Sequence, residues 1–372
     1  LLGDRIHKHL FNNGALTEQS NINRFDSRAE RIENAIIGES ARWGDFVRDT
    51  LGKTGYTLYT PAYWDHERDR MINPSHTDAY FPNRTNHMIT GRYLWWGFYP
   101  DVAAPVFSQF GGEITAGDTV TISADSGATI YYTADGREPN DYGTIIASGG
   151  TVTINNSLTL KARAYYSSSS KWSALNEATF AVGPVKDKLR ITELMYHPTE
   201  PNDPCQEYVE LKNIGTTTLN LNLVKFTEGI HFTFPNMILT AGDYVLVVED
   251  INVFNAKYDS GKNVAGQYTG NLSNAGEHIR LEDAIGRTIL DFNYVDSWQD
   301  STDGEGFSLN IFDVNADVNT WNKPESWAAS KYAGGTPDTD DPALLKERSI
   351  AINELLAHQD AAPEDWIELK NT

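Results

Sequence analysis

Two glutamates in an apolar strand pattern are the residues of this chain that could bind a cation. Glu193 and Glu210 lie in the phrase "ITELMYHPTEPNDPCQEYVELKN", which runs from Ile191 to Asn213. Carboxylates on adjacent strands repel unless they share a cation such as calcium or accept hydrogen bonds from backbone N–H groups. In a third interpretation, which we adopt, one or both side chains point to solvent on the polar face of the strands.

The phrase returns near the end of the chain. "IAINELLAHQDAAPEDWIELKN" runs from Ile350 to Asn371 and places Glu354 and Glu368 where the first copy has its glutamates. The distance between the copies is about one domain length. A repeated supersecondary unit of this kind predicts the first hairpin of a β-domain that is used in tandem.

Three aromatic residues could bind a sugar. Tyr131 and Tyr132 lie in "TIYYTADGREP", and Trp172 follows a run of serines. Aromatic rings offer an apolar face, and a tyrosine hydroxyl adds a polar rim. The interpretation we adopt is that these rings are core and edge aromatics of a β-sandwich.

The stretch "DVNADVN", over 313–319, alternates carboxylate and amide side chains like the opening of a calcium loop. Its sixth position is Val318 where the loop requires glycine, and its twelfth is Pro324 where the loop requires glutamate. The pattern therefore predicts the end of a strand and a cap for the segment before Trp321, with a surface cation as the alternative.

No catalytic residue is predicted. The nine histidines are scattered without the spacing of metal ligands, and neither a G-x-S-x-G nor a phosphate-binding loop is present. Glu39 and Arg42 stand three positions apart, so they predict a helix ion pair rather than chemistry.

Composition excludes several classes of protein. The chain has 51 acidic and 30 basic residues and a formal net charge of −21, which repels nucleic acid and anionic membranes. Cys205 is the only cysteine, so an internal disulfide and a cysteine-rich zinc site are excluded. No apolar run reaches the roughly 20 residues that a membrane span needs.

The spacing of apolar residues changes from helical to alternating at about residue 100. We therefore predict a multidomain chain in which an α-helical N-terminal segment precedes all-β sandwiches. The predicted parts are a helical segment over 1–102, a β-sandwich over 103–182, a linker over 183–188, a second β-sandwich over 189–341 and the truncated start of another over 347–372. The tryptophans of the helical segment could form a substrate platform, but we predict that they pack between its helices. They are Trp43, Trp64, Trp95 and Trp96.

The helical segment resembles the C-terminal tail of the spore-coat protein H (CotH) kinase-like family. The resemblance is carried by "GDRIHKHLFNNGALT", "ESARWGD", "YFPNRTNHMI" and "GFYPDVAAPVF". It implies that the ligands for ATP and a divalent metal lie upstream of Leu1, so that this chain alone transfers no phosphate. With no initiator Met and no signal peptide, we interpret the chain as a fragment cut at both ends.

The two β-rich parts resemble known modules. "TIYYTADGREP" and "LKARAYYSSSSKWSALNEATFAV" resemble the chitobiase/hexosaminidase C-terminal module, a fibronectin type III-like sandwich. "ITELMYHP", "EYVELKNIG", "LTAGDYVLVVED", "LSNAGEHIRLED" and "GTPD" resemble the lamin-tail domain, an immunoglobulin-like sandwich. The last residues resemble the start of a second lamin-tail domain.

These resemblances imply non-catalytic spacer and binding or adhesion modules of a large secreted or cell-surface bacterial protein. The expected partner is a cell-surface protein or a polysaccharide, and calcium is the only cofactor considered for this part. Two alternatives remain open. The chain could support a CotH-type kinase-like enzyme, or it could be the carbohydrate-binding appendage of a polysaccharide-degrading protein.

Overall fold

The computed structural model describes residues 2–52, 58–199, 206–342, 351–356 and 366–370. They form two compact units. One comprises Leu1–Phe110, Thr119–Thr153 and Thr159–Ala178, and the other comprises Gly111–Asp118, Ile154–Leu158 and Thr179–Thr372. The predicted fold class is confirmed, since helices occupy the N-terminal segment and antiparallel sheets dominate the rest. Among the described residues, no helix combines the length and apolar character that a membrane span requires.

Four helices make up most of the N-terminal segment. They are α1 (Leu2–Leu10), α2 (Glu18–Trp43), α3 (Pro61–Ile72) and α4 (Tyr80–Met88), with π-helical turns at Phe46–Thr50 and Ile89–Tyr93. Thr17 and Thr60 each accept a backbone N–H at the start of a helix, which satisfies a donor that lacks a helical partner. Arg68 of α3 donates from Nε to Asp26 of α2 at 2.8 Å, so an ion pair joins the two helices.

The tryptophans of this segment are more exposed than predicted. Trp43, Trp95 and Trp96 keep 48%, 80% and 47% of their surface, so the prediction that they pack between helices is wrong for these three. Trp64 is half-buried.

The strands that follow are short and mostly antiparallel. They are β1 (Val106–Phe107), β2 (Gly112–Ile114), β3 (Asp118–Ser123), β4 (Ala128–Thr133), β5 (Thr144–Ile146), β6 (Gly150–Ile154), β7 (Leu158–Tyr166), β8 (Lys171–Trp172) and β9 (Asn176–Val182), with a helical turn α5 (Pro139–Tyr142). In the first unit, β4 lies between β5 and β7, and β8 pairs with β7. Ile130, Ala162 and Ala164 are fully buried on the inner face, as the alternation predicts.

The second unit is a sandwich of two sheets, one of six strands and one of four. Its elements are α6 (Val185–Lys188), β10 (Leu189–Met195), β11 (Tyr208–Asn213), β12 (Leu219–Asn220), β13 (Lys225–Glu228), β14 (Phe232–Thr233), β15 (Ile238–Leu239), β16 (Tyr244–Val248), α7 (Ile251–Tyr258), β17 (Val264–Gln267), β18 (Glu277–Glu282), β19 (Thr288–Tyr294), β20 (Leu309–Ile311) and β21 (Trp327–Ala329). One sheet has the order β17-β16-β11-β10-β20-β21 and the other β14-β13-β18-β19. Strands β12 and β15 pair with each other.

Two buried tryptophans close the core between these sheets. Trp321 donates from Nε1 to the carbonyl of Ile191 at 3.2 Å, and Trp327 donates to the carbonyl of Trp321 at 2.9 Å. Asp317 caps the 3₁₀ turn that carries Trp321, so the predicted cap at "DVNADVN" is confirmed.

The repeated phrase forms two hairpins with one register. In the first, β10 and β11 place Glu193 opposite Glu210, with a bulge between Ile191 and Glu193. In the second, β22 (Ala351–Leu356) and β23 (Trp366–Lys370) place Glu354 opposite Glu368. The second hairpin has its bulge at the matching place and forms a sheet of two strands.

Candidate functional site

Two of the three predicted sugar-binding aromatics lie together. The ring of Tyr131 on β4 meets that of Trp172 on β8 edge to face, with 5.1 Å between centroids. Tyr165 of β7 lies 4.9 Å from Trp172 on the same outer face. All three are half-buried, so each keeps some exposed surface. We call Tyr131, Tyr165 and Trp172 the ring cluster.

Tyr132 does not belong to the ring cluster. Successive residues of a strand point to opposite faces, and Tyr132 stands opposite Ala162 on the inner side of the sheet. The alternation of "LKARAYY" carries a signal for Tyr165, because it places that residue on the same face as Arg163.

A cleft of about 490 Å³ borders Trp172. Its charged walls are Asp4 and Arg163, which form a two-pronged ion pair with N–O distances of 2.8 and 2.9 Å. Asp4 also accepts the backbone N–H of Leu175 at 2.8 Å. Burial alone would raise the pKa of Asp4, but the hydrogen bonds from Arg163 and Leu175 hold it at about 2. The pair therefore stays ionised across the ordinary pH range.

The cleft also contains a neutral wall. Tyr99 lines it, and the Tyr99 hydroxyl lies 2.6 Å from Nδ1 of His7. Burial lowers the pKa of His7 to about 4, so this imidazole is neutral at physiological pH. The cleft thus has aromatic surface and a fixed ion pair, and the neutral His7 beside Tyr99 adds no charge.

The predicted cation pair lies in the second unit and is buried. Glu193 is fully buried and Glu210 keeps 1% of its surface, so the prediction that one or both point to solvent is wrong. The glutamates are buried because residues from outside the hairpin cover them. Residues 334–341, which we call the clasp segment, lie over the carboxylates, and α7 covers the neighbouring Tyr208.

Protein donors surround both carboxylates. Oε1 of Glu193 accepts from the hydroxyl of Ser308 and from the backbone N–H of Thr336 at 2.9 Å. Glu210 accepts from the hydroxyl of Thr192 at 2.6 Å and from the backbone N–H of Asp338. Backbone N–H groups therefore donate hydrogen bonds to both carboxylates. The "GTPD" motif is the loop that supplies it.

Gly335 of this motif is required for two reasons. Its φ of +77° is a conformation that L side chains rarely adopt. A Cβ at this position would also lie 2.9 Å from the hydroxyl oxygen of Ser308 and closer still to Glu193 and Tyr208. Any other residue here would push the clasp segment off the carboxylates.

The pair holds a proton more tightly than free glutamates would. Burial raises the pKa of Glu193. Burial, followed by the neighbouring charge of Glu193, raises the pKa of Glu210 well above its usual value. Oε2 of Glu193 is buried without a hydrogen-bond partner. Across the described ranges, no three His, Cys, Asp or Glu side chains lie together in a way that could hold a metal ion.

Two further polar residues in or beside β11 form hydrogen bonds to the backbone of other segments. The side-chain amide of Asn213 lies 2.9–3.0 Å from the carbonyls of Thr217, Leu239 and Thr240. Glu207 accepts from the backbone N–H of Leu272 at 2.7 Å. Sequence reasoning missed these roles, although a lysine-asparagine ending in both copies of the phrase was a signal for Asn213.

Two models of known protein families match the β-rich parts of the chain. Residues 183–296 match the model of the Lamin Tail Domain. Residues 110–174 match the model of the Chitobiase/beta-hexosaminidase C-terminal domain. Neither model covers the helical segment, so its resemblance to the CotH kinase-like family stays a prediction. No curated protein matches the chain.

Similar solved structures cover about half of the chain or more. A DUF4876 family protein from Bacteroides thetaiotaomicron VPI-5482 is 11% identical, over 62% of this chain and 93% of that one, with a TM-score of 0.27. SGBP-B of the mixed-linkage glucan utilization locus of Bacteroides ovatus, solved with a mixed-linkage heptasaccharide, is 14% identical over 50% of this chain and 45% of its own, with a TM-score of 0.19. TM-scores of this size assign no shared overall fold. The chain thus carries a region similar to the chitobiase/β-hexosaminidase C-terminal domain, followed by a region similar to the lamin-tail domain.

Proposed function

We propose that this chain is a set of non-catalytic binding and spacer modules of an extracellular protein, and that its ligand is a neutral polysaccharide. The observation that carries the proposal is the ring cluster beside the cleft of Asp4 and Arg163. Partly exposed rings next to fixed polar groups are what a sugar needs, because its two sides differ in polarity.

The chemistry of the cleft supports this ligand class. The C–H face of a pyranose packs on an aromatic ring, while its hydroxyls need convergent donors and acceptors. Asp4 and Arg163 supply polar groups at the cleft, and their mutual ion pair fixes their orientation before a ligand arrives. The net charge of −21 disfavours an anionic polysaccharide.

The lamin-tail-like region serves as a spacer in this proposal. Its hairpin is tied to the clasp segment by the buried carboxylates, and Lys212 adds an ion pair to Asp340 at 2.7 Å. Such cross-links favour a stiff module that holds its neighbours at a set distance. Support of a kinase-like enzyme and attachment to a polysaccharide-degrading protein are alternatives that rest on resemblance.

A binding screen of the whole chain against neutral polysaccharides tests the proposal. We expect saturable binding to at least one of them. Trp172→Ala should weaken it by about tenfold or more, since aromatic anchors carry much of the binding free energy. Tyr332→Ala is the matched control, because it removes an aromatic ring that is 53% exposed in the second unit. Binding that survives Trp172→Ala unchanged, or no binding at all, would overturn the proposal.

A further inference from the structure

A second cleft, of about 310 Å³, lies between α2 and α3 of the helical segment. Four rings line it, those of Trp43, Tyr59, Tyr63 and Trp64. Trp43 comes from the end of α2, and Tyr63 and Trp64 come from the first turns of α3. Trp43 and Tyr59 keep 48% and 40% of their surface, so their rings are open to a ligand.

The charged side chains that line this cleft are both acidic. They are Glu39 and Glu67, and neither lysine nor arginine is among the lining residues that the structure describes. Glu67 is already engaged by Arg70, with an N–O distance of 3.0 Å. Within the described part of the chain, Glu39 has no hydrogen-bond or ion-pair partner.

Glu39 and Arg42, which the structure describes, do not form the ion pair that the sequence predicts. The guanidinium of Arg42 instead lies over the ring of Trp43, 5.0 Å from the centroid. Glu39 therefore remains available to a ligand. The guanidinium of Arg42 therefore already occupies one face of the Trp43 ring, as the quadrupole of an indole favours.

The walls of the cleft are held in place by the backbone. The N–H of Tyr59 donates to the carbonyl of Gly44 at 2.9 Å, which ties the entry of α3 to the end of α2. A Cβ at residue 44 would lie 2.7 Å from the carbonyl oxygen of Tyr59, so glycine permits this approach.

We propose that this cleft binds a small organic cation that carries an ammonium group. Aromatic walls attract a cation through their electron-rich faces, and an unpaired carboxylate adds charge complementarity. A bare metal ion would leave most of the apolar volume empty.

Calorimetry on the whole chain with choline tests this proposal, and 3,3-dimethyl-1-butanol is the matched ligand because it has the same shape without the charge. We expect saturable binding of choline, with affinity for the neutral analogue lower by about tenfold. Glu39→Gln should weaken choline binding by about fivefold and leave the neutral analogue unaffected.

Glu30→Gln is the matched control variant. Glu30 lies on α2 nine residues before Glu39, which is two and a half turns and therefore the opposite face of the helix. Trp43→Leu keeps an apolar side chain and removes the ring, so it should also weaken choline binding while the melting temperature stays unchanged. Absence of choline binding, equal affinity for both ligands, or equal loss in the Glu39 and Glu30 variants would each overturn the proposal.

Discussion

The two hairpins of the repeated phrase share their register and differ in what covers them. Both place glutamates opposite each other next to a bulge. Glu193 and Glu210 are buried, whereas Glu354 and Glu368 are exposed. Ile191 is likewise fully buried, while its counterpart Ile352 keeps 67% of its surface.

This difference separates what the phrase encodes from what the domain adds. Pairing and register are local, because they depend on alternation within two neighbouring strands. Burial of the glutamates depends on α7 and the clasp segment, which belong to the first copy alone among the described residues. We propose that the second hairpin begins a further domain of the same type, over 347–372.

Hydrogen exchange of the whole chain should show the largest contrast between the hairpins. Tyr208–Asn213 is a central strand under cover on both faces, so its amides should open only near the global free energy of unfolding, about 5–15 kcal/mol. An isolated pair of strands is marginal in water, so Trp366–Lys370 should exchange within seconds. Equal protection of the two strands would show that the second hairpin is an integral part of the first sandwich.

Matched leucines should show the next largest difference. Leu211 is fully buried and Leu369 is 60% exposed at the same place in the phrase. Leu211→Ala should lower the free energy of unfolding of the second unit by about 2–5 kcal/mol, since it leaves a cavity. Leu369→Ala should change it by about 0.5 kcal/mol or less. Urea titration followed by exchange or fluorescence measures both, and similar losses would contradict the comparison.

Removal of one carboxylate should have a smaller effect. Glu210→Ala leaves the N–H of Asp338 without an acceptor and leaves the hydroxyl of Thr192 only the backbone carbonyl of residue 210, which should cost about 1–3 kcal/mol of stability. Glu368→Ala, in the exposed copy, is the control and should be close to neutral. Glu210→Gln keeps an acceptor and cannot ionise, so it should restore the stability that alanine loses. If glutamine destabilised as much as alanine, charge rather than capping would be the contribution of Glu210.

The fold of this chain can be predicted from its sequence to a greater extent than its sites. Strand alternation and the repeated phrase predicted the hairpins, because both signals are local. The sequence offers Tyr131, Tyr132 and Trp172 as sugar candidates, although we adopt core and edge packing for them. Tyr131 and Trp172 lie together, whereas Tyr132 lies on the other face because adjacent strand residues face opposite ways. The burial of Glu193 and Glu210 was missed because the "GTPD" loop that covers them is more than 120 residues away in the chain.

A third carboxylate next to the first hairpin, that of Glu207, should make the stability of the second unit depend on pH. Burial raises the pKa of Glu207 from 4.5 to about 7. Because the folded value is the higher one, the stabilisation is fully present below the unfolded pKa and is lost as pH rises through about 7. The second unit should therefore lose on the order of 1–2 kcal/mol between mildly acidic and mildly alkaline pH through this group.

Thermal melts of the whole chain at several pH values measure this contribution. Glu207→Gln should flatten the loss on the alkaline side, since the variant cannot ionise. Glu228→Gln, at an exposed position of β13, is the control and should keep the slope of the native chain. A Glu207→Gln slope equal to that of the control would place the pH dependence elsewhere.

Calcium should have the smallest effect, because protein donors already meet the buried carboxylates. Ser308 and the N–H of Thr336 occupy one oxygen of Glu193, and the raised pKa values favour a bound proton over a cation. A ligand that binds only the native state would add about 2.7 kcal/mol at a hundredfold excess over its dissociation constant. We expect a shift in melting temperature of about a degree or less, which corresponds to a few tenths of a kcal/mol. A large shift that Glu210→Gln abolishes and Glu368→Gln retains would instead establish a shared cation at the first hairpin. The clasp segment would then act as its lid.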